Sequence, residues 1–269
     1  MYTHNYRTQI MGIINATDDS FFSNSRFQGD DAIQKIYTMI KDGATIIDVG
    51  GVSTRPGSSE ISEKEELQRI QPICDIIKKQ KLFEKVDFSI DSYTPSVIEY
   101  ALKSGFSIVN DITGLVNDNI AELTSKYNAS IIIMHMQGSP KTMQKEPLYT
   151  DIVSEVDTFF TQQIEKAKQY GIKKIILDVG IGFGKTLEHN LILLKNMNHF
   201  LHFGHEILIG ASRKSLIDAI TPTPTQERLS GTLAIHLDSI QKGASIVRVH
   251  DVKEHYQALK VQEALNTSL

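Results

Sequence analysis

Eight short apolar runs, each followed by a stretch of helical character, constrain this chain more than any other feature. They cover residues 9–15, 45–50, 86–91, 107–111, 130–135, 174–179, 206–210 and 245–250. The runs are nearly continuous in apolar residues rather than alternating, which is how strands buried on both faces of a parallel sheet read. Between them, residues 31–42 place Ile33, Ile36, Tyr37 and Ile40 on one helical face and stop at Gly43, a residue suited to a left-handed cap. Ser62 and Glu65 have the spacing of a capping box, and Thr94-Pro95 opens the next helix with proline in its first turn. Residues 151–170 and 225–242 read as further helices, stopping at Gly171 and Gly243.

Eight strand–helix units in 269 residues fit a (β/α)8 TIM barrel, for which about 250 residues is typical. A doubly wound open sheet alternates in the same way, so alternation alone leaves that architecture open. No linker or composition shift divides the chain, and the expectation is a single domain over residues 1–269. The longest connections, 16–30, 51–61 and 136–149, follow strands one, two and five on the side where barrels place their chemistry. The first two are rich in Ser, Asn and Gly and are expected to be mobile.

Charge and cysteine content narrow the function classes. Lys plus Arg is 28 and Asp plus Glu 32, a net charge of −4, so the chain is a poor bulk binder of nucleic acid. No stretch reaches the roughly 18 apolar residues of a membrane span. The single Cys74 excludes an intramolecular disulfide and reads as a small core residue. The opening MYTHNYRTQIMGIIN shows no apolar run with a small-residue cleavage site, so the expected compartment is the cytoplasm.

Nearly every run ends in a polar residue: Asn15, Asp48, Asp91, Asn110-Asp111, His135, Asp178, Ser212-Arg213-Lys214 and Arg248-Val249-His250. In a barrel these converge on one mouth. Any one of them could be a rim residue satisfying a loop, and for Asp48 and Asp111 that reading weighs equally with a functional one. As a set, the carboxylates and Asn110 offer acceptors to a donor-rich heterocycle. Lys214, Arg248 and His250 offer positive charge, so the site suits a ligand with a donor edge and an anionic tail.

The motifs carrying these residues resemble those of the dihydropteroate synthases. The matching stretches are Met11-Gly12-Ile13-Ile14-Asn15-Ala16-Thr17-Asp18-Asp19-Ser20-Phe21, Asp48-Val49-Gly50-Gly51-Val52-Ser53-Thr54-Arg55-Pro56-Gly57, Ser89-Ile90-Asp91-Ser92, Asn110-Asp111-Ile112, residues 178–185, Ser212-Arg213-Lys214-Ser215 and Arg248-Val249-His250, in the family's order. The resemblance implies a transferase that joins 6-hydroxymethyl-7,8-dihydropterin pyrophosphate to 4-aminobenzoate, giving 7,8-dihydropteroate and pyrophosphate. It implies a pterin pocket of Asp91, Asn110, Ile112, Met134, Asp178, Phe183, Gly210, Lys214 and Arg248, with Arg248 stacked on the ring. Asn15, Arg248 and His250 would bind pyrophosphate, with Mg²⁺ between its oxygens and Asn15. Ser215 would receive the aminobenzoate carboxylate, and Phe21, Thr54, Arg55 and Pro56 would close over this second substrate. The catalytic group would be Lys214, Arg248, Asn15, His250 and Asp91. Homodimers are implied by the same resemblance, as is a site that sulfonamides, which mimic aminobenzoate, would target.

Three positions depart from the family pattern. Asp18 stands where the family has Pro, Ser23 where it has a second acid, and Val179 where Asp-Pro-Gly is usual. The adjacent Phe21-Phe22 adds bulk at the expected aminobenzoate entrance, which bears on sulfonamide affinity. Two other readings stay open at this point: a methyltetrahydrofolate-dependent methyltransferase domain, which lacks the loops for the second substrate, and an inactive paralogue, which need not keep the pyrophosphate groups. Gly184-Lys185-Thr186 is not a P-loop, because Val179 stands where the first glycine is required. His199, His202 and His205 read as a solvated helix end, with no carboxylate or cysteine to support a metal. Residues 63–66 read as a charged helix N-terminus.

Overall fold

The computed structural model describes residues 8–16, 28–52, 61–138, 143 and 146–267. Strands β1 (Gln9–Asn15), β2 (Ile46–Gly50), β3 (Asp87–Asp91), β4 (Ile108–Asp111), β5 (Ser130–Met134), β6 (Ile175–Asp178), β7 (Glu206–Ile209) and β8 (Ile246–Val249) form a closed barrel in chain order. Every neighbouring pair is parallel, and β8 returns to β1 from Gln9↔Ile246 to Gly12↔Val249. That last pairing decides for the barrel over the open sheet, because it leaves no edge strand.

The outer layer consists of α1 (Gln28–Lys41), α2 (Glu63–Gln80), α3 (Pro95–Lys103), α4 (Asp118–Lys126), α5 (Ile152–Gln169), α6 (Leu187–Lys195), the short α7 (Ser215–Ile220), α8 (Leu229–Gln241) and α9 (Val252–Thr267). The start signals read from sequence hold at several ends. The Ser62 hydroxyl accepts the Glu65 N–H at 3.2 Å, although Glu65 turns to Arg69 at 2.9 Å rather than back to Ser62. Pro95 is the first residue of α3, and Asp151 caps α5 by accepting from Val153 and Ser154. The helix expected over 225–242 is shorter: a 3-10 turn, Thr225–Glu227, precedes α8.

Strand periodicity sorts the interior. Successive side chains point to opposite faces of a strand. Ile47, Val49, Ile90, Val109, Ile131, Ile133, Leu177, Ile207, Ile209, Val247 and Val249 face outward into the large core shared with the helices. Met11, Ile46, Ile108, Ile132, Ile176, Leu208 and Ile246 form a separate cluster that plugs the barrel axis. Two residues further along each strand, the inward position is Asp48 on β2, Asn110 on β4, Met134 on β5, Asp178 on β6 and Arg248 on β8. The plug therefore forms the floor of a polar mouth. Cys74 is fully buried in the outer core, as expected. No helix among the described residues is long and apolar enough to cross a membrane. The expected mobility of the first two long connections concerns residues that lie largely outside the described ones, as do Asp18, Phe21, Ser23, Thr54, Arg55 and Pro56.

Candidate active site

The inward-facing polar residues meet at the carboxyl end of the barrel. Arg248 is the hub of one wall. Its Nε donates to Asp48 Oδ2 at 2.6 Å, and its Nη2 donates to Asp91 Oδ2 at 2.6 Å. Asn110 donates its amide to the same Asp48 oxygen at 3.1 Å, which leaves the Asn110 carbonyl as a free acceptor. Asp48 is fully buried, and its Oδ1 has no partner. Burial pushes the Asp91 carboxyl up, against the pull of Arg248 and reinforced by the negative charge of Asp48. Two carboxylates thus share one guanidinium, which stays protonated. Arg248, expected from the resemblance to stack on a ring, spends one edge of its guanidinium on this bridge.

The opposite wall comes from β6 and β7. Gly180 N–H donates to Asp178 Oδ1 at 2.8 Å, and Asp178 Oδ2 has no hydrogen bond among the described residues. Burial raises the Asp178 carboxyl, while Lys214 opposes the rise. Lys214 donates to the Ile181 carbonyl, and its Nζ lies 4.5 Å from the centroid of the Phe183 ring. Burial lowers the Lys214 ammonium to about 8, with Asp178 resisting. The glycines between these groups are needed for their conformation: Gly180 and Gly182 have φ of +69° and +83°. A Cβ on Gly180 would sit 1.9 Å from the His135 carbonyl oxygen. Lys185 is buried under this turn and donates to the carbonyls of His135, Gly180 and Phe183 at 2.9–3.1 Å. Its protons are spent on the protein, so the rejected P-loop reading is also excluded by geometry.

The third corner joins β7 to β8. His250 N–H donates to Ser212 Oγ at 3.2 Å, and that hydroxyl lies 2.9 Å from His250 Nδ1. When the Ser212 hydroxyl gives its one proton to Nδ1, the neutral ring carries its own proton on Nε2. Burial lowers the His250 ring to about 4, helped by Arg248 and Arg213, and Lys35 of α1 adds to the effect. Against the sequence reading of His250 as a positive group, burial and the neighbouring cations favour its neutral ring at pH 7. Ser215 is exposed at the start of α7, beside the mouth. Asn15 closes β1, half-buried, with no side-chain hydrogen bond among the described residues. Its amide oxygen is one hard donor, which fits Mg²⁺ when the remaining positions are filled by water and substrate phosphate.

Several residues in and around the mouth were not selected from sequence. Asp48 was one of two even-weighted carboxylates, and the structure separates them. Asp111 faces outward, opposite Ile133, and accepts from Thr113 N, Thr113 Oγ1 and Leu115 N at 2.6–2.9 Å, so it is a loop-ordering residue. Arg213, held at φ +58°, forms a two-point ion pair with Asp251. Beneath it, Ala211 N–H donates to His236 Nε2 at 3.1 Å, His236 Nδ1 meets His255 Nε2 at 3.0 Å, and His255 Nδ1 meets the Asp251 carbonyl at 2.7 Å. This buried relay of neutral rings ties the Ser-Arg-Lys turn to the loop after β8. Only the four-residue spacing of Asp251 and His255 hints at it in sequence. Glu66, expected on a solvated helix start, is instead buried and accepts the Ser92 and Thr94 hydroxyls, each at 2.6 Å.

The comparisons with known proteins agree with this geometry. The family profile described as "Pterin binding enzyme" matches residues 11–250. Dihydropteroate synthase of Escherichia coli K12 is 45% identical over 258 residues, 95% of this chain and 90% of that protein. Among solved structures, the Yersinia pestis dihydropteroate synthase with a sulfonamide drug superposes with a TM-score of 0.90 at 39% identity, covering 97% of this chain and 95% of that one. The Clostridium difficile dihydropteroate synthase crystallised in the presence of pteroic acid gives 0.89 at 41% identity, covering 98% and 99%.

Proposed function

The chain belongs to the dihydropteroate synthase family of pterin-binding enzymes, and from that premise we propose how its residues divide the work. The reaction joins 6-hydroxymethyl-7,8-dihydropterin pyrophosphate to 4-aminobenzoate and releases pyrophosphate. The carbon–oxygen bond to pyrophosphate breaks, and the electron pair leaves with the pyrophosphate. The aniline nitrogen then bonds to the pterin methylene and loses a proton. The nucleophile is neutral at pH 7, so the site needs no strong base. Its tasks are to hold the ring, stabilise the departing anion and keep water from the pterin cation.

The observation that carries the assignment is the convergence of Asp91, Asn110, Asp178, Lys214 and Arg248 above one apolar floor. The unbonded Asp178 Oδ2 takes the amino edge of the pterin, and Lys214 faces its carbonyl and ring-nitrogen side. Ile112, Met134, Phe183 and Gly210 supply the apolar walls. Arg248 presents the face left free by its two carboxylates. The neutral His250 donates Nε2–H to the leaving pyrophosphate, with Arg248 and the nearby Arg213 and Lys35 adding positive field. Asn15 would hold Mg²⁺, which would supply charge neutralisation for the departing pyrophosphate. Ser215 receives the aminobenzoate carboxylate, and Phe21, Thr54, Arg55 and Pro56 complete that subsite.

The protein works as a cytoplasmic homodimer in which the chain is one domain. The exposed Val261 and Leu265, one turn apart on α9, support a helix-to-helix contact, which sedimentation checks. The deciding assay follows pyrophosphate release with Mg²⁺ and the pterin substrate, with and without 4-aminobenzoate, and identifies the product. Aminobenzoate-dependent dihydropteroate formation, lost in Lys214→Ala, is the expected result. Tight pterin binding without turnover would favour the inactive-paralogue reading, with Ser23→Asp as the first restoration.

A further inference from the structure

We propose a second metal site, for Zn²⁺ or a similar borderline transition ion, on the outer surface of the barrel at Asp157, His199 and His202. One oxygen of Asp157, Oδ2, lies 2.8 Å from His199 Nε2 and 3.2 Å from His202 Nε2. The three ligand atoms all fall within 4.8 Å of one another. With metal–ligand bonds of about 2.0–2.1 Å, the edges of a tetrahedral zinc shell are about 3.3–3.4 Å long, so the ligand atoms need shift only by tenths of an ångström to about one ångström to admit a metal. The sequence reading rejected a metal here, having found no carboxylate or cysteine to support the histidines. The carboxylate arrives from α5, 42 residues away.

The site is held by packing rather than by chance contact of surface chains. His199 and His202 belong to a 3-10 helix, Met197–Phe203, in which residues three apart share a face. Phe200 and Phe203, also three apart, stack edge-on against Phe160 with centroids at 5.7 and 6.0 Å. Phe160 is one turn along α5 from Asp157, so the aromatic contact sets the register that brings both rings to the carboxylate.

The hydrogen-bond geometry leaves room for a proton or a metal ion between these groups. His202 Nδ1 lies 2.7 Å from the His199 carbonyl oxygen, which accepts and cannot donate. Nδ1 therefore carries the proton, and in a neutral ring Nε2 presents its lone pair to a carboxylate oxygen at 3.2 Å. Two lone pairs face each other unless a proton or a metal ion lies between them. A backbone carbonyl orienting the far nitrogen of an imidazole is the usual outer support of a metal-bound histidine. Two imidazoles and one carboxylate, with water in the remaining position, suit Zn²⁺ and discriminate against Mg²⁺, which prefers oxygen ligands. The bound ion clips the 3-10 helix before β7 to α5, on the outer surface and apart from the mouth.

The test uses the intact protein at pH 7.5 with millimolar Mg²⁺ present throughout, so that oxygen-donor sites are occupied. Zn²⁺ is titrated calorimetrically, Co²⁺ is titrated with its visible absorption recorded, and thermal unfolding is followed with and without Zn²⁺. The wild type is expected to bind one more Zn²⁺ than His199→Ala/His202→Ala and to show a tetrahedral Co²⁺ band that the double variant lacks. Asp157→Asn should weaken binding about tenfold or more. Zn²⁺ should raise the melting temperature of the wild type alone, and its affinity should fall as pH is lowered and protons compete. All three side chains are surface groups, so the variants should fold and keep full synthase activity. Equal stoichiometry and affinity in wild type and double variant would overturn the site, as would no Zn²⁺ binding to the wild type, whatever the synthase assay gives.

Discussion

The two walls of the mouth handle buried charge in opposite ways. On the β2, β3 and β8 side, Arg248 is already bound to Asp48 and Asp91 before any ligand arrives. On the β6 and β7 side, Lys214 and Asp178 satisfy themselves only in part, on the Ile181 carbonyl and the Gly180 N–H. Internal pairing offsets the desolvation of charge and makes the first wall a rigid frame. The second wall keeps unused donor and acceptor positions, and these are what a pterin can bind. Substitutions in the second wall should therefore damage activity, and substitutions in the first should damage stability as well.

The largest effect is expected at Lys214. Lys214→Met keeps an unbranched side chain and removes the charge together with its contact to the Phe183 ring. Turnover per KM for dihydropteroate formation should fall about 10²–10³-fold, the usual cost of losing one group that stabilises developing charge. Unfolding in urea should change little or shift toward greater stability, because the removed ammonium is partly desolvated. A comparable loss of stability would mean that Lys214 belongs to the frame.

The mirror experiment is Asp48→Ala. It strands one side of the Arg248 guanidinium and frees the Asn110 amide. Breaking a buried pair commonly costs about 3–5 kcal/mol, and the lower end is expected because Asp91 still holds Arg248. The urea midpoint reads this directly. The same residue shows how far the sequence could be read. The polar strand ends and the eight-fold alternation were visible in the chain, and with them the mouth and most of its residues. Asp48 and Asp111 could not be separated, since each is an acid at the end of an apolar run. Register separates them: Asp48 shares the inward face with Ile46, while Asp111 pairs with the outward Ile133. Strand parity is a property of the closed sheet, and a run with no alternation does not display it. The His236–His255 relay and the Asp157 cluster were illegible for a related reason. Their partners are 19 and 42 residues apart and meet only through helix packing.

Acidity separates the walls without mutation. The Lys214 ammonium titrates near 8, below its ordinary 10.5, and Lys185 near 7. For each, the unfolded chain binds more protons than the folded one between the two values. Stability should therefore rise with pH from about 7 to about 10. Activity should move the other way, falling as pH passes through about 8 and Lys214 loses its charge. Urea unfolding and initial rates measured over the same pH series should cross. Parallel pH profiles would remove Lys214 from the charge-stabilising role.

The smallest effect tests the junction between the walls. Ser212→Ala removes the hydroxyl that sits between His250 N and Nδ1 at 3.2 and 2.9 Å. The ring stays neutral at pH 7, because burial and the surrounding cations hold it near 4. The position of its proton is then no longer set by the Ser212 hydroxyl. Losing one neutral hydrogen bond of this kind is worth about 1 kcal/mol, so KM for the pterin pyrophosphate should rise a few-fold. Aminobenzoate binding should change less, since its proposed carboxylate receiver is Ser215 and not His250. His250→Gln, which offers an N–H without a tautomer, should lose less than His250→Ala. Equal losses in these two variants would mean that the ring acts by shape and not by donating its Nε2 proton.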